Sequence, residues 1–204
     1  MICTNHEHNR IFKMKVLVIS NMYPSKQDPT FGVFVRNFYV FLCNKDSRID
    51  TSLIAIKGQP KTSINKLLKY IVFYIKITFY TLFFDFDLIY VHTVTYPVPP
   101  LRFVSIFKKL PLAFNIHGSD WITHSSLAEK LKKTALPLIK SSKMIVVPST
   151  IFADKVTNEL PDVKNKIYVS YSGGINSDIF KCMRDNSSSD KILVLGYVSR
   201  IIEN

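Results

Sequence analysis

The chain has 204 residues, 47% of them hydrophobic and 13% aromatic, enough for one large domain or for one ordinary domain with a piece of another. Its formal charge of +12 predicts attraction to polyanions, whether nucleic acid, an anionic membrane face or phosphorylated small molecules. The three cysteines, Cys3, Cys43 and Cys182, lie too far apart for a disulfide framework or a zinc spacing, which favours a reducing compartment.

Residues 1–13 begin "MICTNHEHNR", a polar stretch without the apolar core of a signal peptide. Cys3, His6 and His8 have no fourth metal ligand nearby, so the segment reads as a disordered tail, with Met14 a candidate start. "KVLVIS" (15–20) is then a short β-branched run bounded by turn-formers, hence a buried strand. The loop "NMYPSKQDPTFG" leads into a helical pattern from Val33, with Phe34, Phe38, Phe41 and Leu42 on one face. Further strands are expected at "TSLIAI" (51–56), "DLIYVH" (87–92), "PLAFNIH" (111–117), "KMIVVPS" (143–149) and "KIYVSYS" (166–172). Helix-compatible stretches separate most of them, at 98–109, 127–140 and 151–160, the last with Ser149 or Thr150 as its N-cap.

Strands alternating with helices specify βαβ units: an α/β, Rossmann-like, mostly parallel sheet with helices on both faces. Ligands of such sheets bind beyond the carboxyl ends of the strands, which directs attention to the loops after Ser20, His92, His117 and Ser172. Residues 173–190, "GGINSDIFKCMRDNSSSD", are mostly small and polar and read as a linker. "KILVLGYVSRIIEN" (191–204) then reads as the first strand of another domain, so residues 14–172 are expected to form the main domain.

"LLKYIVFYIKITFYTLFF" (67–84) is long enough to span a bilayer, but Lys69 and Lys76 interrupt it and Tyr and Thr add polarity. A span would also split the second and third strands across the membrane. A crossover helix buried on the sheet is the expected role for most of these residues. Lys57, Lys61, Lys66, Lys69 and Lys76 beside aromatic residues leave room for a second face on anionic lipid.

The chain carries no G-x-G-x-x-G after its first strand, no G-x-x-x-x-G-K-[ST], no G-x-S-x-G elbow and no recognisable nucleic-acid motif. It does carry "FNIHGSDW" (114–121), a strand ending in His-Gly with an aspartate three residues after the histidine. Such a histidine is more often structural than functional. Gly118 permits a tight turn or close ligand approach, and Asp120 suits a hydroxyl partner or a helix cap.

"MKVLVISNMYPSKQDPTFGVFVRN", "FDLIYVHTVTYP", "FNIHGSDW", "VVPSTIFADKV", "SYSGGINSDIF" and "LVLGYVSRIIEN", in this order and spacing, resemble the N-terminal half of family 4 glycosyltransferases. That family has the GT-B architecture of two facing Rossmann-like domains. The resemblance implies that residues 191–204 open a C-terminal donor-binding domain that is otherwise missing, the paired E-x7-E glutamates being absent. It departs from the family pattern at Gly173 and Asn176, in the hinge.

By the same resemblance His117 and Asp120 are the catalytic candidates. Gly32, Gly118 and Arg200 would serve the donor and its phosphates, and Phe31, His92 and Thr95 the acceptor side. The implied reaction is retaining transfer from a nucleotide-sugar donor to a lipid-linked or polysaccharide acceptor in cell-envelope glycan synthesis, with no metal or other cofactor. The chain by itself is expected to be nearly inactive. Its partners would be those substrates, the missing C-terminal domain and an anionic membrane surface, not nucleic acid. Its place would be the cytoplasm, peripherally at the inner face of the cell membrane. A non-catalytic membrane- or acceptor-binding module needing a separate donor-binding partner is the alternative. A sugar-nucleotide epimerase is a third reading, which "HGSDW" and the terminal arginine fit less well.

Overall fold

Each of the six strand-like runs forms a strand: β1 (Met14–Tyr23), β2 (Ile49–Lys57), β3 (Leu88–His92), β4 (Leu112–Asn115), β5 (Met144–Val147) and β6 (Ile167–Val169). In this computed structural model, which describes residues 13–123 and 125–171, they build one sheet of order β2-β1-β3-β4-β5-β6 with every neighbouring pair parallel. The expectations for the N-terminal tail with Cys3, His6 and His8, for the linker at 173–190, for the strand from Lys191 and for Arg200 lie outside the described residues.

The crossovers are α1 (Val33–Lys45), α2 (Ser63–Phe83), α3 (Val98–Val104), α4 (Ser126–Ser141) and α5 (Thr150–Glu159), followed by a 3-10 turn at Pro161–Lys166. Alternation within β1 shows how both faces are covered. Leu17 and Ile19 join a large apolar cluster with Phe73 and Ile77 of α2, Leu101 of α3, Ile139 of α4 and Val156 of α5. Val16 and Val18 point the other way and pack with Phe38, Tyr39 and Leu42 of α1.

Local chemistry starts the helices. Thr62, Ser125 and Ser149 are extended N-caps whose hydroxyls accept from the amides of Asn65, Ala128 and Phe152 at 3.3, 3.2 and 3.3 Å. Ser149, not Thr150, is thus the cap of α5. Several elements stop short of the sequence expectation, β5 at Val147 and β6 at Val169 among them, and in two a local cause is visible. Helix α3 ends at Val104 because Ser105 turns its hydroxyl back on the Arg102 carbonyl (2.7 Å), competing with the helical ladder. Strand β4 ends at Asn115, and two residues on the His117 amide donates to Asp120 instead of to a neighbouring strand.

Helix α2 differs most from expectation. A helix lying on a sheet buries about one stripe of its surface, and here only Phe73, Ile77 and Thr81 are fully buried. Most of the apolar run is therefore not core. Among the described residues, no helix is long and apolar enough to cross a membrane.

Candidate functional site

The crossover from β1 runs to β2 on one side and that from β3 to β4 on the other, so the chain's winding reverses between β1 and β3. Loops leaving adjacent strands at such a switch point splay apart and open a crevice. The loops after β1 and β3, with that after β4, hold most of the residues singled out in the sequence.

His92, the last residue of β3, is 1% exposed. Its Nδ1 lies 3.0 Å from Nε2 of His117, and the two rings are nearly parallel with centroids 5.3 Å apart. Phe34 at the start of α1 tilts against the His117 ring at 4.5 Å, and Phe38 meets His92 edge-on at 5.1 Å. Enclosed in this aromatic setting, His92 is held neutral, its pKa lowered to about 3 by burial and further by the proximity of His117. Burial lowers His117 as well, against the opposing charge of Asp120.

Only one proton can lie between the two rings. Nε2 of His92 is buried with no hydrogen-bond partner among the described residues. If that nitrogen carried the proton, an N–H would be buried without an acceptor, a rarer and costlier defect than an unused lone pair. The favoured arrangement puts the proton on His92 Nδ1, donating to His117 Nε2. His117 then carries its own proton on Nδ1, for which no described residue supplies an acceptor.

Asp120 is 6% exposed and spans two loops. Its Oδ1 accepts from the His117 amide at 2.9 Å and its Oδ2 from the Val94 amide at 3.0 Å. Burial raises its pKa, while the neighbouring His117 and the donated amide bonds pull the other way. The carboxylate is thus a brace between the loops after β3 and β4. Beside it, Thr93 adopts a left-handed φ of 74°, its amide bonded to the Asn115 carbonyl (3.0 Å) and its hydroxyl to Asn21 Oδ1 (3.1 Å). A β-branched residue in that conformation is strained and is held there by its surroundings.

The Gly118 carbonyl accepts from the amides of Trp121 and Ile122, closing a turn at φ 105°. A Cβ at Gly118 would come within 3.0 Å of Phe152 Cζ. Trp121 fixes the other end of the loop. Its Nε1 donates to Glu159 Oε1 (2.8 Å), and Lys132 joins Glu159 Oε2 (2.7 Å) to the Trp121 carbonyl (2.9 Å) with its ammonium 4.4 Å from the indole centroid. The HGSDW loop is therefore bolted to α4 and α5.

The structure brings His92, His117, Gly118 and Asp120 together, with Thr95 buried nearby, where its carbonyl starts α3 by accepting from Val98 (3.1 Å). Gly32 is set apart. At φ 70° it caps α1, and a Cβ there would lie 2.6 Å from the Met22 carbonyl carbon. Phe31 lines a separate recess of about 260 Å³ with Asn21, Met22, Tyr70 and Tyr96. The sequence reading passed over Asn21, Thr93, Tyr70 and Tyr96. It noted Phe34 and Phe38 only as one face of a helix.

No protein-family model matches the chain, and no curated protein matches it. Solved structures do. The UDP-GlcNAc 2-epimerase from Methanocaldococcus jannaschii matches with a TM-score of 0.51 at 17% identity, over 76% of this chain and 45% of that one. Another UDP-N-acetylglucosamine 2-epimerase gives 0.52 at 9% identity, over 78% and 48%, and an S. aureus MnaA–UDP co-structure gives 0.50 at 10%, over 76% and 43%. The fold is one half of a GT-B architecture. At these identities the likeness concerns fold alone, and the chain spans less than half the length of the matched proteins. The resemblance seen in the sequence therefore stands at the level of the GT-B fold rather than of family 4. The matched proteins are of the epimerase type that the sequence motifs fitted less well.

Proposed function

We propose that the chain is the acceptor-side lobe of a nucleotide-sugar enzyme, a family 4-type retaining glycosyltransferase acting on a lipid-linked or polysaccharide acceptor. The observation that carries this reading is the neutral His92–His117 pair at the carboxyl ends of β3 and β4, beside the switch point, with a donor on His117 that no described residue accepts. Glycosyl transfer builds oxocarbenium character at the sugar. An imidazolium beside it would oppose that charge, whereas a buried imidazole kept neutral can hold a sugar hydroxyl without repulsion. In this reading His117 is the catalytic residue and Asp120 positions it through the backbone. Gly118 lets the donor approach the turn, and Arg200 serves the diphosphate. His92 and Thr95 lie behind the acceptor side, and the Phe31 recess with Tyr70 and Tyr96 offers aromatic faces to an acceptor glycan. The donor enters as substrate, with no metal or cofactor in the scheme.

Nucleotide-sugar epimerisation is the second reading, favoured by the identity of the matched structures. Product analysis separates the two. Protein expressed from the native gene, with everything that gene encodes, is incubated in D2O with a radiolabelled UDP-sugar and a membrane extract. Label passing to the lipid or glycan fraction supports transfer. Deuterium at C2 of the recovered nucleotide sugar supports epimerisation, because inversion at C2 breaks a C–H bond. Neither outcome would leave the non-catalytic binding module.

A further inference from the structure

Helix α2 is apolar on two opposite sides. Tyr70, Phe73, Tyr74 and Ile77 face the sheet. Ile64, Leu68, Val72, Ile75, Phe79 and Phe83 recur at intervals of three or four residues, and each is at least half exposed. No charged residue interrupts this outer stripe. Lys69 and Lys76, seven residues apart, lie along one flank, and α2 contains no acidic residue. At 21 residues the helix is about 31 Å long, and its outer side presents far more apolar surface than an ordinary solvated helix does.

Two neighbouring features extend it. Beyond α3, which packs alongside α2, Phe103, Ile106 and Phe107 are 51–70% exposed. Lys108 ties this segment to the end of α2 through the Phe84 carbonyl (3.0 Å) and Asp85 (2.8 Å). Along the edge strand β2, a groove of about 780 Å³ shares Leu68 and Val72 with the stripe and is lined by Lys57, Lys69 and Lys76. Lys69 is held in place there by the carbonyls of Lys57 and Gly58, at 2.7 and 3.0 Å. Residues 57–109 carry eight Lys and Arg against two Asp.

We infer that the outer face of α2, with the 103–107 segment, docks in the plane of an anionic lipid bilayer. The apolar stripe enters the acyl boundary, and the flanking lysines meet lipid phosphates. The charge decides the occupant. A second copy of this chain would bring the same cations against these, whereas an anionic headgroup layer neutralises them. Interfacial helices of this kind combine an apolar face with lysine-bearing flanks and lie flat, as α2 must because its other side is fixed to the sheet. This inference is independent of the chemistry assigned to the crevice.

Co-sedimentation of the full chain with vesicles tests it. Binding is expected to vesicles of phosphatidylglycerol and phosphatidylcholine, much weaker to phosphatidylcholine alone, and reduced by high salt. Replacing the exposed flank residue, Lys76→Gln, should weaken binding to the anionic vesicles by about fivefold. Ile75→Ser with Phe79→Ser should abolish it. Lys76, Ile75 and Phe79 are solvent-facing, so circular dichroism should be unchanged; the lysine substitution tests the inference even if the apolar pair fails to fold. Absence of binding to anionic vesicles at low salt would overturn the inference. So would equal binding to neutral vesicles, or a stable dimer in light scattering that both serine substitutions convert to monomer.

Discussion

Asp120→Asn alters the charge and one acceptor atom of the site while preserving its shape. The carboxylate accepts two amides, at 2.9 and 3.0 Å. An asparagine has one carbonyl to offer, so its NH2 must confront the other donor and leave a buried N–H unpaired. Hydrogen bonds to a charged group contribute about 1.5–3 kcal/mol each, and relief of the charge's burial offsets part of the loss. The net cost is expected at about 2 kcal/mol, which for a domain of this size lowers Tm by roughly 4–8 °C. Trp121, the only tryptophan, sits in the same loop and reports unfolding directly. Asp120→Ala, which strands both amides, should melt lower still. An Asp120→Asn melting curve within about a degree of the parent would refute the brace.

Acid should destabilise the fold through His92. Its folded pKa is depressed to about 3, so between the unfolded value of 6.5 and about 3 the unfolded chain binds the proton that the folded one refuses. Stability therefore falls as pH falls, by about 2 kcal/mol at pH 5 from His92 alone. His117 acts in the same direction, and Asp120, whose pKa is raised above 3.8, opposes them. Urea midpoints at pH 7 and pH 5 check this, the slope flattening in His92→Gln. Gly32→Ala forces a left-handed alanine against the Met22 backbone and should cost at least about 2 kcal/mol in the same assay. Lys132→Met should cost about 2 kcal/mol: the buried Trp121 carbonyl loses its donor, while methionine keeps the packing on Trp121 and Glu159, 48% exposed, stays solvated; a loss above about 4 kcal/mol would contradict that.

The sheet was readable because each strand carries a compact β-branched run and the helices between them dictate parallel pairing. The α5 cap was narrowed in the same way to Ser149 or Thr150, and the hydrogen bond to the Phe152 amide decides for Ser149. His117, Gly118 and Asp120 were visible as one motif, but the partner of each was not. That His92 would face His117 depends on β3 lying beside β4, a long-range fact absent from either segment. Thr93 in a left-handed conformation and the Asp120–Val94 bond are tertiary consequences without a local signature. Helix α2 misled for a related reason: hydrophobicity marks a residue as able to be buried, and it does not say which face the sheet will take. The six outward residues of α2 are indistinguishable by type from the inward ones.

The central claim, that His117 is a neutral hydrogen-bond donor to a reacting sugar, is tested most directly by the turnover of His117→Ala in protein from the native gene. The account predicts kcat lowered by about 10²–10³ with KM little changed, and partial recovery in His117→Gln, which retains an N–H. An unchanged kcat in His117→Ala would contradict it.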